Sequence, residues 1–178
     1  MRLYPDKYIL TVDDDIYYRK DLIAYLWDLS QKFKANVCAN NVVSILNDDL
    51  KLLGYNHWQH KDVISNHPSH NYIAKGNGGV IYPPSVFKNQ EAFNEDLIVQ
   101  TCLKADDLWL KANELINNVK VVKGDYYPTS IELSRSQKVA LMKTNTSENN
   151  NENDKQWAQI DAKLNITQLL QDLVRLEK

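Results

Sequence analysis

Three adjacent carboxylates, Asp13, Asp14 and Asp15, are the residues of this sequence with the clearest potential for chemistry. They directly follow residues 8–12, a short apolar and β-branched run that predicts a strand. Packed like charges repel unless a cation neutralises them, and open α/β sheets bind ligands beyond the carboxyl ends of their strands. Because alternate residues of an extended segment point the same way, we expect Asp13 and Asp15 to face one ligand while Asp14 turns away. The cluster predicts an oxygen-ligand site for Mg²⁺ or Mn²⁺, and a solvated acidic turn that caps the next helix is the alternative interpretation.

A glycine-rich turn is the second candidate. Its residues, Gly76, Asn77, Gly78 and Gly79, precede a short apolar run that Pro83 ends. Glycine allows a close approach of the backbone to a ligand, and the amides of such a turn can hold anionic or hydroxyl oxygens. A tight turn that simply leads into a strand is the alternative.

A second acidic pair, Asp106 and Asp107, begins a run with apolar residues at helical spacing. Negative charge is stabilised at a helix N-terminus, so helix capping is the simpler interpretation of this pair. A positioned carboxylate can also act as a general base that removes the proton of a hydroxyl group.

Residues 47–75 are polar and predict a long loop, with a short hairpin within it as an alternative, of the kind that is usually functional or mobile. Its aromatic residues Tyr55 and Trp58 could stack on a ligand or belong to the core. All four histidines lie in this stretch without cysteine partners or a helix to align them, which favours surface or substrate-loop positions over a metal site. They are His57, His60, His67 and His70.

Length and composition are those of one ordinary globular domain: 178 residues, 43% of them hydrophobic and 25% charged. A net charge of −2 with scattered basic residues gives no support for a nucleic-acid partner. Cys38 and Cys102 each sit in an apolar run, which predicts buried free thiols. No apolar stretch approaches the ~20 residues of a membrane span, so we expect a cytoplasmic protein, with peripheral attachment to the inner membrane left open.

The remaining pattern predicts an α/β fold. A helix is expected from Asp21, with that residue as its N-cap, and residues 36–45 predict a second strand. A strand, a helix and a strand in this order predict a parallel strand pair. Further helices are predicted at residues 94–103 and from Asp106, and a further strand at residues 119–122.

The C-terminal part changes character at an Asn-rich stretch. Residues 144–153 predict a loop between a main portion, residues 1–143, and a helical segment, residues 154–178. Two amphipathic helices are expected in that segment, the second with a stripe of leucines that faces either the core or a partner. The stripe consists of Leu169, Leu170, Leu173 and Leu176.

The motifs together resemble bacterial GT-A glycosyltransferases, in particular the family-2-like enzymes of capsule and lipopolysaccharide synthesis. The resemblance covers roughly residues 6–160 and is carried, in order, by YILTVDDDIYY, GNGGVIYPP, ADDLWLKA and NENDKQW. It implies an α/β chain with part of the GT-A fold, a mixed sheet flanked by helices, and C-terminal helices. It also implies an enzyme that transfers a sugar from a nucleotide-sugar, a UDP-sugar first among them, to a saccharide acceptor in surface polysaccharide synthesis.

The resemblance implies a role for most of these residues. The metal, Mn²⁺ or Mg²⁺, would be held by Asp13 and Asp15, and Asp107, beside Asp106, would be the base of an inverting displacement. The donor would be contacted by Asp13, Asp14, Gly76, Asn77, Gly78 and Gly79. Asn153 and Asp154 match a polar pair to which the resemblance gives no role.

Members of this group carry a further nucleotide-binding stretch before the acidic motif, which here begins at residue 13. The resemblance therefore implies a chain without the N-terminal nucleotide-binding strands, with a sheet edge and C-terminal helices through which it could associate with itself or a partner chain. A carbohydrate- or metal-binding module without catalysis, using Tyr55, Trp58 and Tyr72, is the main alternative. A phosphotransferase with an aspartate nucleophile fits less well, because Tyr17 stands where a small hydroxyl residue would be expected.

Overall fold

The computed structural model describes residues 1–84, 86–88, 90–125, 131–132 and 151–178. Within these residues the chain is an α/β protein with a mixed sheet and five α-helices, as the sequence predicted at that level. The strands are β1 (Ile9–Thr11), β2 (Ile16–Tyr17), β3 (Val37–Ala39), β4 (Val42–Ser44), β5 (Tyr72–Ala74), β6 (Val80–Tyr82), β7 (Val121–Lys123) and β8 (Ile131–Glu132).

The central sheet has the strand order β1-β6-β3-β7. β6 is antiparallel to both of its neighbours, whereas β3 and β7 are parallel. The first strand and the strand after the first helix therefore run in the same direction, as predicted, but they are not hydrogen-bonded neighbours because β6 lies between them. Two smaller antiparallel pairs, β2 with β8 and β4 with β5, complete the described strands.

The predicted strand at residues 36–45 is in fact two strands in different sheets, β3 and β4. Two asparagines at the break explain the division, because their side chains bond to the glycine-rich turn. Asn40 Nδ2 donates to the Gly78 carbonyl at 3.1 Å, and Asn41 Nδ2 donates to Asn77 Oδ1 at 2.6 Å. These long-range bonds hold the chain against the turn at the point where β3 ends. The predicted loop at residues 47–75 likewise contains β5 and a 3₁₀ turn, Tyr55–His57.

The helices lie close to their predicted positions. They are α1 (Leu22–Lys32), α2 (Glu95–Thr101), α3 (Asp106–Ile116), α4 (Glu152–Leu164) and α5 (Ile166–Arg175). Asn94 caps α2 by accepting from the Leu97 amide, and Asn151 caps α4 by accepting from two amides. Asp21 precedes α1 but makes no side-chain cap, because its carboxylate pairs with Arg19 at 2.9 Å. Residues 144–150 of the predicted Asn-rich loop lie outside the described residues.

The sheet is covered on both faces, and β3 shows the alternation directly. Cys38 packs with Leu22, Leu26 and Leu29 of α1, while its neighbours in β3 face a second cluster on the other side. The strand β1 is only partly covered, and Val12 just beyond it is 48% exposed.

Helices α3, α4 and α5 share a third apolar cluster, so the C-terminal helices dock on this chain through α3. The buried residues of α5 are Ile166, Leu170 and Val174, and Leu169 and Leu173 pack against them. Leu176, the last residue of the predicted stripe, is 84% exposed and does not belong to the core.

Both cysteines are buried free thiols, as predicted. Burial raises the pKa of the Cys38 thiol to about 12. None of the helices among the described residues is long and apolar enough to cross a bilayer.

Candidate functional site

The acidic motif lies where β1 ends, between the central sheet and β2. The Asp13 amide donates to Tyr18 Oη at 2.9 Å, and residues 14 and 15 form a turn. Strand alternation therefore does not decide which of these carboxylates point together, contrary to our expectation. Asp13 is exposed and Asp15 half-buried. A cation or its bound ligand can approach this turn from solvent.

The surroundings of Asp13 are rich in negative charge. Partial burial raises the pKa of the Asp13 carboxyl, and the charges of Asp15, Asp106, Asp14 and Asp107 raise it further, in that order. Two of these charges come from the start of α3, more than 90 positions along the chain. The fold therefore brings the two acidic motifs that the sequence singled out into one electrostatic neighbourhood.

The glycine-rich turn lies against the acidic motif. A Cβ built on Gly76 would stand 3.2 Å from Asp13 Oδ1, closer than most side chains tolerate. One on Gly78 would stand 2.5 Å from the Asn41 amide nitrogen, and Gly79 has a φ of +80°. The glycines are thus required by close packing and backbone conformation.

Two amides of this turn donate to carbonyls within the turn itself. The Gly78 amide donates to the Lys75 carbonyl at 3.1 Å, and the Gly79 amide donates to the Gly76 carbonyl at 3.0 Å. Contact of Gly78 and Gly79 with a donor stays a prediction. Of the four residues predicted to contact the donor here, Gly76 is the one the structure sets against a predicted metal ligand.

The second acidic pair occupies the first turn of α3. The cap position is Ala105, which has no side chain to cap with, and Asp107 Oδ1 accepts from the Leu108 amide at 3.0 Å. Partial burial and the charge of Asp107 together raise the pKa of the Asp106 carboxyl. Asp106 lies at the positive end of the helix dipole, which interacts favourably with negative charge, but burial and the neighbouring charge outweigh that effect.

Lys75 is the residue of this region that sequence reasoning missed. Its Nζ lies 3.3 Å from Asp107 Oδ2, hydrogen bonds to the Tyr55 hydroxyl and lies 3.8 Å from the centroid of the Tyr55 ring. The two ion-paired side chains are 16% and 18% exposed, so the contact is largely shielded from water. Its position directly before Gly76 was the available signal. The sequence predicted a loop here, however, and so missed the strand β5 that positions Lys75.

The rings of Tyr55 and Trp58 pack against Lys75 and Trp157 rather than forming an exposed surface for stacking. Trp58 packs between Tyr55 and Trp157, with ring centroids 4.8 and 5.7 Å away. Tyr72, which the alternative binding module would use, is buried and its hydroxyl accepts from the Ile64 amide at 2.9 Å. Tyr72 therefore belongs to the core.

The C-terminal polar pair also reaches this region. Asp154 Oδ1 accepts from the Tyr55 amide at 2.8 Å, across 99 positions of sequence. Asn153 is buried, and its Oδ1 has no hydrogen-bond partner among the described residues. The helix α4 is thereby tied to the loop that carries Tyr55.

The histidines are spread over different environments. His57 and His67 are exposed, and His60 Nδ1 lies 3.0 Å from the Val42 carbonyl. His70 contradicts the prediction of a surface position, because it is 3% exposed and its Nδ1 lies 2.6 Å from Glu177 Oε1. Burial, followed by the charge of Lys111, lowers the pKa of His70.

The residues fit a hard divalent cation that a substrate helps to bind, but not a closed protein cage. The donors near Asp13 are all carboxylate oxygens, the ligands that Mg²⁺ and Mn²⁺ prefer. Among the described residues no three His, Cys, Asp or Glu side chains converge as a ligand set. Mg²⁺ is commonly held by one or two carboxylates with water and phosphate oxygens, so two aspartates suffice.

Comparisons with family models, with curated proteins and with solved structures each gave no match to this chain. The described fold is an α/β fold with a mixed sheet, and its acidic motifs, glycine-rich turn and C-terminal polar pair lie in one region.

Proposed function

We propose that this chain forms the catalytic centre of a metal-dependent glycosyltransferase that uses a nucleotide-sugar donor and a saccharide acceptor. One observation carries the proposal: Gly76 lies against Asp13, whose pKa is raised in part by the charges of Asp106 and Asp107. Three motifs that are far apart in sequence thus share one region. The resemblance of these motifs, in kind and order, to those of GT-A enzymes supports the same assignment.

The proposed division of labour follows from position. Asp13 and Asp15, beyond the end of β1, would hold the cation together with the donor diphosphate. A bound Mn²⁺ or Mg²⁺ supplies Lewis acidity that stabilises the negative charge of the departing diphosphate. Asp107, at the start of α3, would accept the proton of the acceptor hydroxyl as that oxygen bonds to the anomeric carbon and the bond to the diphosphate breaks.

Calorimetric titration of the purified chain with UDP, with and without Mn²⁺, tests the donor site. We expect binding that requires Mn²⁺ and is lost in Asp15→Ala. Asp49→Ala is a matched control, because Asp49 is an exposed aspartate in another loop. Absence of binding to a folded chain, judged by circular dichroism, would contradict the proposal, as would equal binding by Asp15→Ala.

One observation favours the alternative of a binding module without catalysis. Asp107, the proposed base, is already engaged by Lys75 at 3.3 Å and by the Leu108 amide at 3.0 Å. Asp107→Asn separates the two functions, because it removes the base while keeping the shape of the side chain. An enzyme variant would bind UDP with Mn²⁺ but release at least about 100-fold less UDP from a UDP-sugar per unit time. A binding module would show no difference in either measurement.

A further inference from the structure

Lys75 links the two sides of the candidate site through its own contacts and those of the next residue. Its ammonium group reaches Asp107, while the backbone of Gly76 lies beside Asp13. The strand β5, Tyr72–Ala74, ends immediately before Lys75 and fixes where this short segment begins. A change in the direction of the Lys75 side chain would therefore alter its contact with Asp107.

The ammonium group of Lys75 is itself held in place. It hydrogen bonds to the Tyr55 hydroxyl, and it lies 3.8 Å from the centroid of the Tyr55 ring and 5.3 Å from that of Trp58. Cation–π contacts and a hydrogen bond in a largely buried setting restrict a side chain that is otherwise highly flexible. Lys75 therefore offers Asp107 a fixed partner.

The loop that carries Tyr55 is fixed in turn by α4. Asp154 Oδ1 accepts the Tyr55 amide proton at 2.8 Å, and Trp58 packs on Trp157 of the same helix. A continuous series of contacts thus runs from Asp154 through Tyr55 and Lys75 to Asp107. Two of its links join residues 99 and 32 positions apart in sequence.

We propose that Lys75 is a positioning residue for Asp107, and that Asp154 and Tyr55 hold Lys75 in the orientation this requires. This inference rests on the proposed function, in which Asp107 is the base. Lys75 engages Asp107 Oδ2 and the Leu108 amide engages Oδ1, so both oxygens have a fixed direction. Each carboxylate oxygen retains a further lone pair for an acceptor hydroxyl. Asp154 thereby receives a role that the sequence resemblance did not supply.

Nuclear magnetic resonance of the isotopically labelled full chain tests the positioning directly. Couplings to the Asp107 side-chain carbon report its χ1 rotamer, and we expect a single rotamer in the wild type. Lys75→Met should give rotamer averaging, Lys75→Arg should restore a single rotamer, and Asp154→Ala should give partial averaging. Lys163→Met, which removes an exposed lysine of α4, should match the wild type.

A second measurement keeps the inference testable if Lys75→Met fails to fold. The side-chain ammonium protons of a free lysine exchange too fast with water to be observed, whereas a held ammonium group gives a ¹H–¹⁵N signal. We expect such a signal from Lys75 in the wild type, and its loss in Asp107→Asn. Absence of the signal from the wild type, or an unchanged single Asp107 rotamer in folded Lys75→Met, would overturn the inference.

The two proposals fail in different experiments. Wild-type chain that shows the Lys75 signal and a fixed Asp107 rotamer but binds no UDP with Mn²⁺ would contradict the glycosyltransferase and leave the positioning contacts established. Manganese-dependent UDP binding with a freely averaging Asp107 would do the reverse. If both hold, Lys75→Met should lower turnover of a UDP-sugar and Lys75→Arg should recover part of it, which a purely structural lysine would not require.

Discussion

Helix α3 carries charged side chains in two places, and the arrangement of charge differs between them. In its middle, Lys111 Nζ lies 3.3 Å from Glu114 Oε2, and the two side chains are 0% and 2% exposed. At its N-terminus, Asp106 and Asp107 face the charge of Asp13, while Lys75 contacts Asp107. One place buries a single pair of opposite charges, and the other gathers three carboxylates closer to solvent, of which Asp107 contacts Lys75.

The difference fits a structural role for the buried pair and the proposed ligand-binding role for the carboxylates. A buried ion pair keeps its two side chains together, because separating them would leave each charge buried without a partner. Gathered carboxylates repel one another, so they favour a cation from outside the chain. The middle of α3 therefore anchors the fold, whereas its N-terminus lies in a region of excess negative charge. The sequence placed the candidate site in that second region.

Removing one partner of the buried pair should produce the largest effect. Lys111→Met leaves Glu114 buried without its cation, and we expect the free energy of unfolding at pH 8 to fall by about 3–5 kcal/mol. Burial raises the pKa of the Glu114 carboxyl even beside Lys111, and loss of that cation raises it further. Because the folded-state pKa is raised, protonation favours the folded chain, so the loss should shrink as the pH falls. Urea unfolding at pH 8 and pH 6 measures both effects.

The double variant Lys111→Met, Glu114→Leu is the control for this prediction. It removes both charges and should recover most of the stability lost in the single variant. A single variant that loses less than about 1 kcal/mol at pH 8 would show that the pair is not a structural anchor. A double variant as unstable as the single one would show that packing, and not an unpaired charge, causes the loss.

The sequence predicted local features better than long-range ones, and the residues of the site show why. The acidic motif, the glycine-rich turn and the start of α3 lie where local patterns placed them. Lys75 was missed because its importance depends on Tyr55 and Asp107, neither of which is near it in sequence. His70 was expected at the surface because nothing close to it indicates its partner, Glu177, 107 positions away.

The strand between the parallel pair was missed for a similar reason. A strand, a helix and a strand predicted that β1 and β3 run parallel, but the insertion of β6 between them depends on contacts across about 40 residues to β3 and about 70 residues to β1. The asparagines that divide β3 from β4 bond to a turn encoded 36–38 positions later. Local propensity contains no information about such partners.

A smaller expected effect concerns the glycine that shapes the acidic side. Gly76→Ala places a methyl group 3.2 Å from Asp13 Oδ1 and should displace that carboxylate by a few tenths of an ångström. We expect UDP affinity in the presence of Mn²⁺ to weaken about tenfold, while the free energy of unfolding changes by no more than about 1 kcal/mol. Calorimetry and urea unfolding of the same preparation give both numbers. Unchanged affinity would mean that Asp13 does not depend on the turn.

The smallest expected effect tests the like-charge side directly, with stability as the readout. The pKa of Asp13 is raised in the folded chain by partial burial and by Asp15, Asp106, Asp14 and Asp107, so its ionised form opposes folding at neutral pH. Asp13→Asn should therefore be more stable than the wild type at pH 7 with EDTA, by only about 0.5 kcal/mol because water screens an exposed group.

The advantage of Asp13→Asn should disappear as the pH falls through the folded-state pKa, since the wild-type carboxyl is then protonated as well. Urea unfolding of both chains at pH 7 and pH 4 measures this, and titrating groups far from Asp13 cancel in the difference. With Mn²⁺ and UDP present at about 100 times the dissociation constant, the order should reverse, because the wild type alone gains about 2.7 kcal/mol from the bound ligand. An Asp13→Asn variant that is less stable than the wild type in EDTA would mean that this carboxylate supports the fold. The contrast between the middle and the N-terminus of α3 would then no longer hold.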